Sequence, residues 1–235
     1  MIKAVLFDLD GTLLPMDQEI FIKDYFGRLA KKLAGHGYEP EKLIKAVYKG
    51  TMVMIGNDGT KTNEEAFWKH FCGIYGEKAM DDMELFEQFY AGEFEEVRHV
   101  CGHDERAAQV IGRVKEKGLR AVLATNPLFP PIATHARIRW AGLKKEDFDW
   151  ITTYDNSSFC KPNPKYFEEV LEKTGLKAEE CVMVGNDTSD DLAAAELGMP
   201  VFILTDCLIN AKEIDLSAHP HGGFDELLAW IDNLH

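Results

Sequence analysis

The stretch IKAVLFDLDGT, residues 2–12, decides the fold, because a short apolar run there ends abruptly at two acidic residues. The run from Ile2 to Phe7 is rich in branched residues, which is typical of a strand buried on both faces of a parallel sheet. Asp8 and Asp10 follow two positions apart, so both carboxylates leave an extended backbone on the same side. Gly11 then allows the chain to turn. The stretch therefore predicts a buried strand that delivers two carboxylates to the edge of a sheet.

Similar apolar runs recur along the rest of the chain, with helical patterns between them. Predicted strands cover Leu119–Thr125, Cys181–Gly185 and Pro200–Leu204, and a weaker pattern covers Trp150–Thr153. Predicted helices cover His103–Lys117, Pro131–Ala141, Pro164–Thr174 and Asp190–Leu197, with a terminal amphipathic helix at Phe224–Leu234. Alternation of strand and helix predicts an α/β fold with a Rossmann-like, doubly wound parallel sheet.

The segment between the first two strands breaks this alternation, because residues 17–98 contain helical periodicity and no buried-strand run. We predict a core formed by residues 1–15 and 100–235, and a small all-helical cap domain formed by residues 16–99. An insert at this point emerges above the carboxyl end of the sheet, where open α/β folds bind ligands. Aromatic residues of the insert either line a pocket there or pack internally; they are Phe21, Tyr25, Tyr48 and Trp68.

Charge and composition exclude several classes of protein. The 235 residues carry a formal charge of −14, which disfavours generic binding to nucleic acid or to an anionic membrane surface. Apolar residues make up 46% of the chain, enough to form a core. The five cysteines form no C-x-x-C pair and predict no disulfide framework. With no signal-peptide pattern and no apolar run long enough to span a membrane, the sequence predicts a cytoplasmic protein. It does not indicate an oligomeric state.

Polar residues of the types that catalyse reactions or bind ligands follow each of the other main strands. Thr125 and Asn126 end the second predicted strand, and Lys161 lies in FCKPNP, residues 159–164, just before a predicted helix. The fourth segment, GNDTSDD at residues 185–191, is rich in carboxylates. Carboxylates held close together need a cation or a shared proton, and oxygen-rich sites suit Mg²⁺.

These segments, in this order, resemble the haloacid dehalogenase-like hydrolase superfamily, and within it the phosphatase branch with an alpha-helical cap. The family's first motif is an apolar strand followed by D-x-D-G-T, and residues 8–12 match it. Thr125 matches the Ser or Thr of the second motif, and Lys161 matches the lysine of the third. The acidic loop of the fourth motif is matched by residues 185–191, with one departure, because Asn186 occupies the position just after the glycine where the family usually has Asp.

The resemblance implies a Mg²⁺-dependent phosphatase that acts on a small phosphorylated metabolite through an aspartyl phosphate. Asp8 would be the nucleophile and Asp10 the general acid and base. Thr125, Asn126 and Lys161 would bind phosphoryl oxygens. The metal ligands would be Asp8, Asp10 through its backbone, Asp187 and Asp191, with Asn186 or Asp190 as possible substitutes because of the departure in the fourth motif.

Two other functions remain compatible with the sequence. A sugar phosphomutase of the same superfamily has the same four motifs. A non-catalytic module that binds a phosphorylated ligand or a protein would keep the fold, and the departure at Asn186 is the feature that agrees with it. The residues of the insert that would select a substrate are not identified by these motifs.

Overall fold

The computed structural model describes residues 1–235 and is built on one six-stranded parallel sheet. The strands, in chain order, are β1 (Ala4–Phe7), β2 (Arg120–Leu123), β3 (Trp150–Ile151), β4 (Cys181–Gly185), β5 (Val201–Leu204) and β6 (His221–Gly222). Their order across the sheet is β3-β2-β1-β4-β5-β6. In β1, Val5 pairs with Ala121 on one side and with Val182 on the other. The predicted parallel α/β sheet is confirmed, and β1 lies near its centre.

Eight α-helices surround or extend the sheet. They are α1 (Gln18–Ala34), α2 (Pro40–Ile55), α3 (Asn63–Tyr75), α4 (Met83–Ala91), α5 (Arg106–Glu116), α6 (Pro131–Trp140), α7 (Pro164–Thr174) and α8 (Phe224–Asp232). Short 3₁₀ helices cover Glu77–Met80, Glu93–Val100, Lys145–Asp147, Ala178–Glu180, Leu192–Leu197 and Leu216–Ala218. Residues 18–100, between β1 and β2, are helical and contribute no strand to the sheet.

Two elements differ from the sequence-based expectation. Strand β6 was missed, because it has two residues and no apolar run, and the segment around His221 has the glycines of a loop. The helix predicted from Asp190 is a 3₁₀ helix that begins at Leu192. The side chains of Asp190 and Asp191 instead accept hydrogen bonds from Asn126 and Lys161, so these two residues belong to the loop above the sheet.

The helical insert, residues 18–100, shares its core with the sheet. One continuous cluster of 46 buried residues includes Val5 and Phe7 of β1 together with Phe71 and Phe89 of the insert. Within the insert α2 and α3 pack closely, since a Cβ at Gly50 would lie 2.6 Å from the ring of Phe67. Apolar packing of this extent holds the insert against the sheet.

Two further expectations concern cysteines and membranes. All five cysteines are free thiols in the structure. None of the helices combines the length and the hydropathy that a membrane span requires.

Candidate active site

A buried lysine lies at the centre of the polar residues above β1. Lys161 donates through Nζ to Oδ1 of Asp8 at 2.9 Å and to Oδ1 of Asp191 at 2.7 Å. Asp8 directly follows β1, Asp191 lies in the loop after β4, and Lys161 precedes α7. The parallel sheet brings these three side chains together because the carboxyl ends of its strands meet at one edge.

Burial and charge act against each other in this cluster. Burial disfavours the ammonium of Lys161, but the carboxylates of Asp191 and Asp8 outweigh that effect and hold the pKa of Lys161 well above its usual value. Burial likewise raises the pKa of Asp191, and the Lys161 ammonium opposes that rise. An ion pair buried to this degree depends on both partners remaining in place.

Asp10 has a partner that the sequence motifs did not identify. Oδ2 of Asp10 accepts a hydrogen bond from the guanidinium of Arg137, a fully buried residue of α6. That guanidinium also stacks on the ring of Phe129, 4.4 Å from its centroid. Burial raises the pKa of Asp10 to about 6, although Arg137 acts to lower it. The other oxygen of Asp10, Oδ1, is buried and has no hydrogen-bond partner.

Thr125 and Asn126 lie in the loop that follows β2. Thr125 is buried, and its carbonyl accepts hydrogen bonds from the hydroxyls of Thr152 at 2.6 Å and Tyr166 at 2.8 Å. Asn126 donates through Nδ2 to Asp190 at 3.1 Å, while its buried Oδ1 has no partner. Thr125 is thus fixed through its backbone.

The polar residues of the loop after β4 make two different kinds of contact, some with the Asp8 loop and some within their own loop. Asn186 is buried against the Asp8 loop, where its Oδ1 accepts from the Thr12 hydroxyl at 2.9 Å. Gly11, with φ of +83°, makes room for it, since a Cβ there would lie 2.3 Å from Asn186 Nδ2. The Asp187 carboxylate instead accepts from the backbone amides of residues 189 and 190 and so closes its own loop.

The oxygen atoms around the Asp8 loop are of the kind that Mg²⁺ accepts as ligands. The Thr12 hydroxyl contacts both Oδ2 of Asp8, at 3.2 Å, and Oδ1 of Asn186, so one carboxylate oxygen and one amide oxygen flank the same group. Nowhere in the chain do three or more His, Cys, Asp or Glu side chains surround one point. The residues therefore fit a cation held by mixed carboxylate, amide and backbone oxygens rather than by a carboxylate cluster.

The helical insert is hydrogen-bonded to the loops of this site through Asn63, the first residue of α3. Its Nδ2 lies 3.3 Å from the carbonyl of Pro127, which follows Asn126, and 3.3 Å from the carbonyl of Phe159, which precedes Lys161 by two residues. Its Oδ1 accepts from Asn57 at 2.9 Å. The helix itself begins with a capping box between Thr62 and Glu65.

A cavity of about 500 Å³ opens between the insert and the loop that follows Asn126. Of the insert aromatics singled out from the sequence, Tyr25, Tyr48 and Trp68 line this cavity. Phe21 does not line it and belongs to the buried core. On the side of the sheet, the wall of the cavity is formed by residues 128–132, which include the Phe129 ring that stacks on Arg137.

The chain is similar to one family of hydrolases and to several phosphatases. A model described as haloacid dehalogenase-like hydrolase matches residues 2–198. A glyceraldehyde 3-phosphate phosphatase of Methanothermobacter thermautotrophicus is 28% identical over 229 residues, which covers 90% of this chain and 89% of the relative. A phosphoglycolate phosphatase of Vibrio parahaemolyticus is 26% identical over 204 residues, covering 87% and 84%. The pyrophosphatase PpaX of Halalkalibacterium halodurans is 24% identical over 206 residues, covering 86% and 83%.

Solved structures with the same fold include two that align over nearly the whole chain. A HAD phosphatase from Thermococcus onnurineus gives a TM-score of 0.59 at 21% identity, covering 98% of both chains. CbbY from Rhodobacter sphaeroides, solved with phosphate, also gives 0.59 at 21% identity, covering 99% of this chain and 100% of the other. At these identities the likeness concerns the fold.

Proposed function

The chain belongs to the haloacid dehalogenase-like hydrolases, and we propose that it is a Mg²⁺-dependent phosphatase that hydrolyses a small phosphorylated metabolite. The observation that carries the proposal is the buried cluster in which Lys161 bridges Asp8 and Asp191 at the carboxyl end of β1. The names of the relatives, which describe phosphatases of small phosphorylated compounds, support the same class of reaction.

In the proposed reaction, the Asp8 carboxylate attacks phosphorus and forms an aspartyl phosphate while the bond to the leaving oxygen breaks. Asp10 gives the leaving oxygen a proton and then takes one from the water that hydrolyses the intermediate. Lys161 orients Asp8 through Oδ1 and offsets negative charge at the phosphoryl oxygens. Thr125 and Asn126, at the end of β2, would contact the phosphoryl group.

Burial prepares Asp10 for the acid step, because it raises the pKa of this carboxyl to about 6 and so makes a protonated fraction available near neutral pH. Arg137 holds Oδ2 and leaves Oδ1 without a partner. In this proposal Oδ1 is the oxygen that exchanges the proton with the substrate.

Bound Mg²⁺ would neutralise charge on the transferring phosphoryl group. We propose that the carboxylate of Asp8, the backbone carbonyl of Asp10 and Oδ1 of Asn186 hold the ion. The contact of Asn186 with the Asp8 loop favours it over Asp187, whose carboxylate is bonded to backbone amides of its own loop. Asp191 would orient the site through two hydrogen bonds. Its carboxylate accepts one from Lys161 and another, at 3.0 Å, from the backbone amide of Asp187.

The proposal is tested by measuring phosphate release from an aryl phosphate by the wild-type protein and by Asp8→Asn, each with Mg²⁺ and with EDTA. We expect the substitution to lower kcat at least about a thousandfold, since it removes the nucleophile. Circular dichroism checks that the variant is folded. Equal rates in the two proteins would reject Asp8 as the nucleophile. In a parallel assay with a sugar phosphate, conversion to the positional isomer without release of free phosphate would indicate a mutase.

A further inference from the structure

The cavity of the insert has an apolar, accessible mouth. Three of its lining residues are large apolar side chains that remain exposed to solvent: Ile22 at 45%, Tyr48 at 57% and Ile132 at 36%. They come from α1, α2 and α6, so the apolar surface surrounds the opening rather than lying on one helix. Exposed apolar surface around a concave space is typical of a ligand site.

The charge of this cavity is entirely negative. None of its 21 lining residues is Lys, Arg or His, whereas Glu64, Glu87 and Asp155 all line it. Burial raises the pKa of Glu64, and the carboxylates of Asp155 and Glu87 act in the same direction, so these groups are close enough to influence one another. A ligand with a carboxylate or a second phosphate would be repelled here, while a positive charge would be attracted.

The walls add two further preferences. Nine of the lining residues are aromatic, and aromatic faces attract ammonium groups. Trp68, which is 6% exposed, has a buried indole Nε1 that lies near the Tyr154 hydroxyl but makes no well-formed hydrogen bond. An unpaired buried donor favours a ligand that brings an acceptor such as a hydroxyl oxygen.

We propose that this cavity binds a small aromatic or aliphatic amine that carries a hydroxyl or similar acceptor and no anionic group on the bound part. A cavity of about 500 Å³ accommodates a ligand with one aromatic ring and a short amine chain. Such a molecule satisfies the carboxylates, the aromatic walls and the indole donor together.

This chemistry has two possible sources, because the cavity lies close to the catalytic cluster without including it. Phe129 lines the cavity and stacks on Arg137, which in turn binds Asp10, the proposed acid for the leaving group. The amine is therefore either the alcohol part of the phosphorylated substrate or a separate small molecule bound next to it.

Calorimetric titration of the full chain with three matched phenols tests the proposal: tyramine, uncharged 4-ethylphenol and anionic 3-(4-hydroxyphenyl)propionate. We expect tyramine to bind at least about tenfold more tightly than the propionate, with 4-ethylphenol between them, because the three share the phenol ring and differ chiefly in the charge of the side chain. Absence of tyramine binding, or equal binding of tyramine and the propionate, would overturn the proposal.

Two pairs of variants place the binding in this cavity. Thr51→Trp fills the cavity from α2, whereas Met52→Trp adds the same bulk at an exposed neighbour that does not line it. Glu87→Gln removes one lining charge, whereas Glu84→Gln removes a charge of α4 that does not line it. Thr51→Trp should abolish tyramine binding and Glu87→Gln should weaken it several-fold, with both controls unchanged. Equal effects within a pair would place the binding elsewhere.

Kinetics with O-phosphotyramine distinguish the two sources, and a failure here is separable from failure of the phosphatase proposal. If the amine is part of the substrate, kcat/KM should be higher for O-phosphotyramine than for the phosphate ester of 3-(4-hydroxyphenyl)propionate, and tyramine should inhibit competitively. If it is a separate ligand, tyramine binds as expected without competing. A protein that releases phosphate from neither ester nor from a generic aryl phosphate would count against the phosphatase proposal, while the tyramine titration still decides this one.

Discussion

The cluster of Lys161, Asp8 and Asp191 lies close to the insert cavity, but the cluster consists of charged side chains and the cavity mainly of apolar and aromatic ones. In the cluster, Lys161 and Asp191 are almost completely buried charges whose positions are fixed by each other and by Asp8. The cavity is enclosed mainly by apolar and aromatic side chains, with carboxylates among them and no cation. Buried charges tolerate little change, since each needs its partner, whereas an apolar wall can be altered at a modest cost in stability. The proposed chemistry and the proposed selectivity thus depend on parts of the molecule with very different tolerance to substitution.

The largest effect is expected where the charges are buried. Lys161→Met leaves the carboxylates of Asp8 and Asp191 without their common partner, so the free energy of unfolding should fall by about 3–5 kcal/mol. The loss of a cation at the phosphoryl group should lower kcat/KM at least about a thousandfold. Urea denaturation and phosphate-release assays measure the two effects. A variant within tenfold of wild-type activity would show that Lys161 has no part in the chemistry.

The second-largest effect is expected at Arg137, which contacts both Asp10 and the Phe129 ring of the cavity wall. Arg137→Met removes the partner of Asp10 and the cation beneath Phe129, so we expect kcat to fall about a hundredfold through misplacement of the acid. Arg137→Lys should recover part of that loss. Arg139→Met is the matched control, because Arg139 lies on the same helix, is 58% exposed and pairs with Glu95. Equal losses in the two Met variants would mean that Arg137 acts only through helix stability.

Arg137 and Arg139 also show where sequence reasoning stops. The run ARIRW, residues 136–140, contains two arginines that each lie between apolar neighbours. Only the tertiary structure makes one of them fully buried and the other exposed. Asp8 and Lys161 could be identified because their neighbours carry information, a strand and a glycine in one case and two prolines in the other. Arg137 lacks such a local signature, and its partner Asp10 lies 127 residues away.

The same limit applies to the cavity. Phe21 and Tyr25 lie one helical turn apart in α1, and both are buried aromatics. Tyr25 lines the cavity and Phe21 does not, although both rings pack edge to face on Phe129, at 5.4 and 6.3 Å between centroids. No pattern in α1 encodes that difference. The sheet was predictable from its apolar runs, except for β6, which has two residues.

A third prediction concerns the metal and is smaller in size. Asn186→Ala removes the amide oxygen next to the Asp8 loop, and we expect the Mg²⁺ concentration for half-maximal activity to rise about tenfold or more. Asp187→Asn keeps an oxygen that can still accept from the backbone amides of its loop, and should change this concentration far less. A Mg²⁺ titration of the activity of both variants shows whether Asn186 or Asp187 is the metal ligand. If Asp187→Asn has the larger effect, Asp187 is the ligand.

The smallest effect is expected where the insert is attached to the catalytic loops. Asn63→Ala removes an amide that lies against the carbonyls of Pro127 and Phe159, and leaves these buried groups unpaired. The free energy of unfolding should fall by about 1–3 kcal/mol. Because Phe159 and Pro127 adjoin the loops of Lys161 and Asn126, we also expect kcat to fall several-fold.

The control for this prediction is Thr62→Ala, one residue earlier. It removes the N-cap of α3, at a cost of about 1 kcal/mol, but leaves the bonds of Asn63 to both loops in place. The two variants therefore weaken the same helix end, and only one of them loosens the attachment to the catalytic loops. If kcat falls equally in both, helix stability alone determines activity. If it falls only in Asn63→Ala, the insert contributes to the geometry of the catalytic cluster as well as to the cavity.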